Sequence, residues 1–467
     1  MVFASLVFLY LFLPLNVVLY FSTKNLRWRN WVLVCFSLFF YAWGEPVWVG
    51  LLIFSALVDF VNALIIERHR NTVWAKVALG ASLVINLGLL ILFKYSGFLY
   101  ENINLLLGTA LTPPAFALPI GISFYTFQTI SYTVDVYRDD VPAQHSFFKF
   151  LLFVSCYHQL VAGPIVRYSH IAEEIDHRIH RPGEISRGVS RFLVGLTKKV
   201  LVANTAGALA VKYLDGDLAT LAPAAAWFGL LLFSLQIYYD FSGYSDMAIG
   251  MGWMFGFHYH ENFLYPYTAK SVTDFWRRWH ISLGTFFRDY VYIPLGGNRK
   301  NQYINLFVVW FLTGLWHGAS WNFVLWGLYF GLLIAIERLF LGKVLSALPR
   351  IVSHIYLMFT VMMGWVLFYF TDTSRLTAFV KVLVGLSGNP HDPRLGFAVN
   401  SHLLWLVGAL VFCAPVVPWL KGKVEQLDSR WQTAVGWGQV ALNVGMLLVC
   451  TALLVGQTYN PFLYFRF

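Results

Sequence analysis

Long hydrophobic segments separated by short polar connections run along almost the whole chain. A transmembrane helix needs about 20 apolar residues, with lengths of about 17 to 25 observed. Runs 31–43, 147–163 and 244–257 are too short to cross a bilayer alone, so we expect broken or re-entrant helices there. The pattern predicts an all-α transmembrane bundle of about eleven spans plus re-entrant or amphipathic helices. The candidate spans are residues 2–21, 31–43, 47–66, 77–94, 118–137, 147–163, 189–211, 223–241, 244–257, 303–317, 320–337, 351–371, 401–418 and 434–456.

The composition also indicates an integral membrane protein. Hydrophobic residues make up 58% of the 467 positions and charged residues only 12%, whereas a soluble domain carries about 25% charged residues. The 18 Trp and 25 Tyr suit aromatic belts at the two membrane interfaces. No linker or shift in composition divides the chain, so we predict one integral-membrane domain over residues 1–467.

The net charge of +10 is concentrated in short loops between the apolar runs. This distribution follows the positive-inside rule and gives no reason to expect a nucleic-acid partner. Segments 95–117 and 214–222 are nearly free of basic residues and would face the opposite side. We expect a multi-pass membrane protein with an external amino terminus and a cytoplasmic basic face. The loops on the cytoplasmic side would be 24–29, 68–76, 338–350 and 421–430.

Two polar stretches interrupt the pattern of spans and short loops. Residues 164–188 are predicted to be a cytoplasmic loop. Residues 258–302 mix aromatic and cationic side chains, and such a segment lies at the interface or dips into the bilayer without crossing it. We expect this segment to form the cytoplasmic mouth of whatever the bundle encloses. His258 and His260 lie in it without a third ligand, so no metal site is predicted.

His317 is a titratable side chain at the far end of the apolar run 303–317. Ionisable residues inside a membrane are costly and are functional by default. An unperturbed imidazole titrates near about 6.5, and desolvation favours its neutral form. Neutral imidazole can take a proton from a hydroxyl as its oxygen attacks a carbonyl, which is general-base acyl transfer. A hydrogen-bonded structural histidine is the alternative interpretation.

Other polar side chains have two interpretations each. Asp240 and Asp246 could line a site or hold a proton network, or they could cap helix ends near water. Arg277 and Arg278 suit the phosphates of a coenzyme A thioester, because guanidinium groups bind phosphate bidentately. They could equally be positive-inside anchors. The spacing of Gly314 and the glycine four residues later is typical of close helix packing.

Five motifs together resemble the membrane-bound O-acyltransferase family, and its alginate O-acetyltransferase branch in particular. They occur in order, and the hydropathy matches over the whole length. The resemblance implies that His317 is the catalytic histidine and that His280 occupies a second active-site position. The motifs are LPIGISFY from Leu118, DFSGYSD from Asp240, RRWHISL from Arg277, DYVYIPLGGN from Asp289 and LTGLWHGASW from Leu312.

The resemblance further implies a bacterial inner-membrane protein. It would transfer acetyl from a cytoplasmic thioester donor, acetyl-CoA, through that membrane, with no bound cofactor. The recipient would be a periplasmic partner acetyltransferase or a secreted polysaccharide made by a synthase complex. Arg277, Arg278 and Lys300 would hold the donor, and His280 would orient the donor or the partner histidine. A tunnel would reach His317, lined by Trp316, Trp279, Asp240 and Asp246.

Several alternatives stay open at this level. His317 could deprotonate the acceptor directly, or it could carry the acetyl group transiently. The polymer could be cellulose, alginate or peptidoglycan, because the tail Tyr459 to Phe467 departs from the alginate enzymes. A lipid or protein O-acyltransferase of the same family is another possibility. A transporter of a small anion or polymer precursor is a third, although the two halves show no internal repeat.

Overall fold

The computed structural model describes residues 1–114, 116–161, 163–386, 391–456 and 462–463, and these form helices without a β-strand. Seven helices are long and apolar enough to cross a membrane, or up to eight if the bent pair Arg394–Ser401 and Leu403–Val411 is one span. A multi-pass helical protein is therefore confirmed. The count of about eleven is not, partly because Phe8–Phe21 is short and Gln302–His317 has only 16 residues, which is about 24 Å of helix.

The described residues form two compact units, each with its own helices. The first unit comprises Met1–Phe192 and Tyr244–Glu261 and also includes Phe462 and Leu463. Apart from those last two residues, the carboxyl-terminal tail from Tyr459 lies outside the described residues. The helices that lie wholly in the first unit are α1 (Phe8–Phe21), α2 (Leu26–Gly44), α3 (Val49–Arg68), α4 (Val73–Leu107), α5 (Ile122–Arg138), α6 (Phe147–Ser155) and α7 (Tyr168–Asp176).

The second unit comprises Leu193–Gly243 and the chain from Asn262 onward to residue 456. Helices α8 (Pro182–Leu214) and α9 (Pro223–Phe255) contribute residues to both units. One domain over residues 1–467 stays a prediction. The remaining helices are α10 (Val272–Arg278), α11 (Ile281–Phe287), α12 (Gln302–His317), α13 (Trp321–Ala347), α14 (Arg350–Tyr369), α15 (Thr373–Leu383), α16 (Pro393–Ser401), α17 (Leu403–Val411), α18 (Val416–Val424) and α19 (Ser429–Leu454).

A buried polar network holds α3 and α4 together in the first unit. The Asp59 carboxylate, fully buried, accepts hydrogen bonds from the Ser82 hydroxyl at 2.5 Å and from the Asn86 amide at 2.8 and 2.9 Å. Ser55 donates to the Asn86 side-chain oxygen at 2.7 Å. Small and polar residues bind membrane helices to each other because lipid provides no hydrophobic driving force between them.

The structure corrects two predicted segments. Residues 244–257 are not a separate partial span, because α9 continues without a break to Phe255. The stretch 164–188 is not only a loop, since α7 lies within it and buries Tyr168, Ile171 and Ile175. These three positions are spaced three and four residues apart, so they share one helix face. The segment 258–302 contains α10 and α11, whose apolar side chains are buried within the second unit.

Candidate active site

A close helical hairpin in the second unit positions His317. Helix α12 ends at His317, Gly318 is extended (φ −171°, ψ 155°), and α13 begins at Trp321 after the predicted short reversal. A Cβ atom at Gly314 would collide with the Phe323 carbonyl oxygen of α13. The predicted glycine packing is confirmed, because only a residue without a side chain lets the two backbones approach this closely.

Aromatic rings surround the His317 imidazole. Its ring centre lies 4.9 Å from that of Trp316, 4.7 Å from that of Trp326 and 5.4 Å from that of Phe368, in each case edge to face. The side chain is only 4% exposed. The imidazole therefore lies in an apolar setting.

His280 lies at the junction between α10 and α11 and packs against the same indole. Its ring centre is 5.7 Å from Trp316 and 4.6 Å from Phe241, and it is 2% exposed. Its backbone is left-handed (φ +46°, ψ 52°), a conformation that costs a non-glycine residue about 1–3 kcal/mol and that clusters at functional sites. The structure thus brings both predicted histidines into contact with Trp316.

Asn262 fixes the orientation of His280, and the sequence alone did not reveal this residue. Its side-chain oxygen accepts from the Ser282 backbone N–H at 3.1 Å and the Ser282 hydroxyl at 2.9 Å, and lies 3.3 Å from His280 Nδ1. Because this oxygen is an acceptor, Nδ1 carries the proton and Nε2 is the basic nitrogen. Burial lowers the pKa of His280 to about 3. No local pattern links Asn262 to a histidine 18 positions later.

The predicted donor-binding cations differ in their surroundings. Arg277 and Lys300 are exposed, whereas Arg278 is partly buried and donates from Nε to the Asp274 carboxylate at 2.9 Å. Arg278 therefore has a structural partner within α10. The predicted lining residue Trp279 packs its ring against Phe263, Phe275 and Trp365, at centre distances of 5.1, 5.5 and 5.0 Å.

Neither predicted aspartate caps a helix end. Both lie inside the continuous helix α9, so the capping alternative is wrong. In the second unit the buried Asp240 forms an ion pair with the buried Lys199 Nζ at 2.5 Å. Asp246 belongs to the first unit, where it pairs with Arg191 at 2.7 Å. These two carboxylates are thus matched by cations, which offsets the cost of burying their charge.

The remaining candidate ligands have simple partners. Among the described residues, no group of three His, Cys, Asp or Glu side chains is arranged to hold a metal ion. His258 Nδ1 lies 2.6 Å from the Glu174 carboxylate in the first unit. Cys156, Cys413 and Cys450 are buried as their apolar surroundings suggest, while Cys35 is exposed.

Comparison with known proteins finds one family model and several relatives that match this sequence. The family model for membrane-bound O-acyltransferases matches residues 138–380, which include both histidines. A probable alginate O-acetylase AlgI of Pseudomonas putida is 36% identical over the whole of both chains. The probable alginate O-acetylase AlgI of Pseudomonas aeruginosa is 43% identical over 79% of this chain and 72% of its own. A peptidoglycan O-acetyltransferase of Helicobacter pylori is 34% identical over 83% of this chain and 80% of its own.

Proposed function

The chain belongs to the membrane-bound O-acyltransferase family, and from that premise we propose that it O-acetylates a bacterial extracellular polysaccharide. The similarity to two alginate O-acetylases, one over the full length and one over 79% of this chain, supports this substrate class. We place the protein in the inner membrane, with the donor arriving from the cytoplasm. The acetyl group would pass to a periplasmic partner acetyltransferase or to the polymer leaving its synthase complex.

We assign the chemistry to His317. The observation that carries this assignment is a buried imidazole, at the end of α12, enclosed by the Trp316, Trp326 and Phe368 rings. Neutral His317 would accept the proton of an acceptor hydroxyl while that oxygen bonds to the thioester carbonyl carbon. The carbon–sulfur bond then breaks, and the proton passes to the departing thiolate. A transient acetyl-imidazole is the other route. In it His317 attacks the carbonyl carbon and expels the thiolate, and the acceptor oxygen then attacks the same carbon, loses its proton and releases the imidazole.

His280 would orient the donor or the His317 ring through the shared Trp316 indole. Asn262 is a positioning residue in this scheme, because its oxygen keeps the His280 proton on Nδ1. That tautomer leaves Nε2 as the nitrogen able to accept a hydrogen bond from a donor, partner or water. His280 is thus preorganised by a fixed backbone turn and a fixed tautomer.

Acetyl-CoA is the donor that we propose. Its phosphates would meet Arg277 and Lys300, both exposed, and Arg278 would contribute while it keeps its pair with Asp274. Arginine binds phosphate through a planar fork, whereas lysine acts as a point charge. A route from these cations to His317 is part of the proposal.

The acceptor polymer is the open part of this function. Alginate is favoured by the full-length relatives, and peptidoglycan is a second candidate because the Helicobacter pylori enzyme is 34% identical over most of this chain. Cellulose stays a prediction from the sequence. Acetate released by mild alkali from separately purified exopolysaccharide and peptidoglycan would show which fraction depends on this gene.

The test of the catalytic assignment is His317→Ala in cells that lack the chromosomal copy. We expect polymer acetylation to fall by about 10²- to 10⁴-fold, the usual contribution of a general base, at equal abundance in the membrane. His402→Ala is the matched control, since the His402 side chain hydrogen-bonds near its own turn, with Ala398 and Ser401, and lies beside the Trp405 ring. Unchanged acetyl content in the His317 variant would remove the assignment. Substrate counterflow in vesicles without acetyl transfer would indicate a transporter.

A further inference from the structure

A buried cation of the first unit, Arg178, lies in the connection between α7 and α8. Arg178 is only 9% exposed, and its Nη2 donates to the Asn30 side-chain oxygen. Its Nε and Nη1 atoms are buried and have no hydrogen-bond partner among the described residues. Since a buried guanidinium normally has its donors satisfied, these two groups require an explanation.

A second arginine, Arg29, stands beside the same aromatic ring. The guanidinium carbons of Arg29 and Arg178 lie 5.2 and 5.8 Å from the centre of the Tyr20 ring. Arg178 also lies over Phe257 at 4.4 Å. Within the part of the chain that the structure describes, no carboxylate is within ion-pair distance of either arginine. Two like charges therefore share a partly dehydrated site without an anion to offset them.

The nearby His180 does not supply a negative charge to offset the two arginines. Arg29 Nη1 donates to His180 Nδ1 at 2.9 Å, so the proton of the neutral ring is on Nε2, 2.8 Å from the Tyr20 oxygen. The Tyr20 hydroxyl in turn donates to the Phe255 carbonyl at 2.9 Å. Burial, together with the charges of Arg29 and Arg178, lowers the pKa of His180 to about 4. The ring is neutral at pH 7, and its lone pair is already used.

Neutral polar groups complete the surroundings. Cys156 Sγ lies 3.4 Å from His158 Nδ1, and the Tyr259 hydroxyl is also 3.4 Å from that nitrogen. Burial raises the pKa of Cys156 to about 11 and lowers that of His158 to about 3. The pair is thus a thiol and a neutral imidazole, which argues against a thiolate nucleophile. His158 Nε2 is a further buried nitrogen with no partner among the described residues.

We propose that the first unit contains a binding site for a phosphate group, held by Arg178 and Arg29. A guanidinium fork matches phosphate oxygens bidentately, and two cations suit an anion of one to two charges better than a single carboxylate. Arg29 and His180 are partly exposed while Arg178 is buried, so the phosphate enters past Arg29. The phosphate could come from an anionic phospholipid headgroup or from a coenzyme A-type molecule. Both sources present the same chemistry to the arginines.

The experiment measures the thermal midpoint Tm of the purified, delipidated full chain in detergent. The probes are phosphatidylglycerol, coenzyme A and inorganic phosphate, each added separately. We expect at least one to raise Tm by about 3–5 °C at saturation, since a ligand that binds only the folded state stabilises it. A shift with phosphatidylglycerol alone identifies a lipid site. A shift with coenzyme A counts for this site only if Arg178→Gln removes it, because coenzyme A bound at the proposed donor site near Arg277 and Lys300 would also raise Tm. If none of the three changes Tm, the proposal is wrong.

Arg178→Gln should abolish the shift. Without ligand its Tm should equal or exceed that of the wild type, because an unpaired buried charge has been removed. Arg181→Gln is the matched control, since Arg181 is exposed and pairs with Glu184 at 3.3 Å; it should keep the full shift. If Arg178→Gln does not fold, Arg29→Gln decides the question, and it should weaken ligand binding by about tenfold or more. A full shift in a folded Arg178→Gln, or in Arg29→Gln when that variant decides, would overturn the proposal.

This site is independent of His317. Its readout is ligand-induced stability, so it can fail while the acetyltransferase assignment holds, and the reverse is equally possible.

Discussion

Two buried cations, Lys199 in the second unit and Arg178 in the first, have opposite electrostatic surroundings. In the second unit the Lys199 ammonium is neutralised by the Asp240 carboxylate at 2.5 Å. In the first unit Arg178 is equally buried but has only the Asn30 amide and aromatic faces as partners. In a neutralised pair each buried charge is offset by the other, so the pair needs nothing from outside. Arg178 has no such carboxylate, and this difference is the basis of the phosphate site proposed for the first unit.

His180 of the first unit and His280 of the second also differ in the partners of their ring nitrogens. His180 uses both ring nitrogens in a chain from Arg29 to the Phe255 carbonyl. His280 uses Nδ1 toward Asn262 and lies among aromatic rings rather than beside arginines. Both have a lowered pKa, but in His180 the arginines contribute, whereas in His280 burial is the cause. Burial of an imidazole therefore does not by itself identify a catalytic group.

The largest effect that we expect comes from breaking the neutralised pair. Lys199→Met leaves the Asp240 carboxylate buried without its cation, which should cost about 3–5 kcal/mol of stability. The double variant Lys199→Met, Asp240→Leu should recover most of the loss, because both charges are then gone. Arg178→Met should cost far less than Lys199→Met, since it strands no carboxylate. If Lys199→Met and Arg178→Met lower Tm by the same amount, the contrast between these two cations is wrong.

An intermediate effect should separate the two histidines. His280→Gln should lower the turnover of acetyl transfer by about 10²-fold, within the range of a lost catalytic histidine, with Tm nearly unchanged. His180→Gln should instead lower Tm, because it interrupts a buried chain of hydrogen bonds worth about 1–3 kcal/mol. Turnover per folded molecule and Tm are measured on the same preparations. A His280 variant that loses stability but keeps turnover would assign that residue a structural role.

The smallest effect concerns Asn262. In Asn262→Asp a carboxylate would face His280 Nδ1 and favour the imidazolium, so the pKa of His280 would rise from about 3. Because the neutral ring is the active form, the rate should then decline on acidification at a higher pH than in the wild type. Rates from about pH 4.5 to 8 measure this, a range chosen around the ordinary titration of histidine. Asn262→Leu should lower the rate without that displacement. If the rate of Asn262→Asp declines at the same low pH as that of the wild type, Asn262 is not the positioning residue.

Much of the architecture was predictable because hydropathy is a local property of the chain. The long helices α3, α8, α9, α13, α14 and α19 overlap apolar runs of the sequence. The prediction failed where helix α9 passes through Gly243, since a polar sequence around a glycine looks like an interruption. A Cβ at Gly243 would collide with the Gly195 carbonyl oxygen of α8. The glycine therefore serves helix packing and not a break.

The site was predictable only in part. His317 stood out because an imidazole beside a long apolar run is energetically costly in any fold. Asn262, Trp326 and Phe368 could not be found that way, since each is an ordinary residue for its own segment. Their importance comes from contact with a histidine that is distant in the chain.

The sequence by itself determined that this chain spans a membrane and that it is helical, and it singled out His317 as a titratable group at the end of an apolar run. These conclusions follow from solvation, which each segment experiences on its own. Only the tertiary structure decided that His280 and His317 contact one indole, that Asp240 is neutralised by Lys199, and that Arg178 is buried without a carboxylate. Electrostatic pairing depends on distances between remote residues, and those distances exist only once the helices have packed.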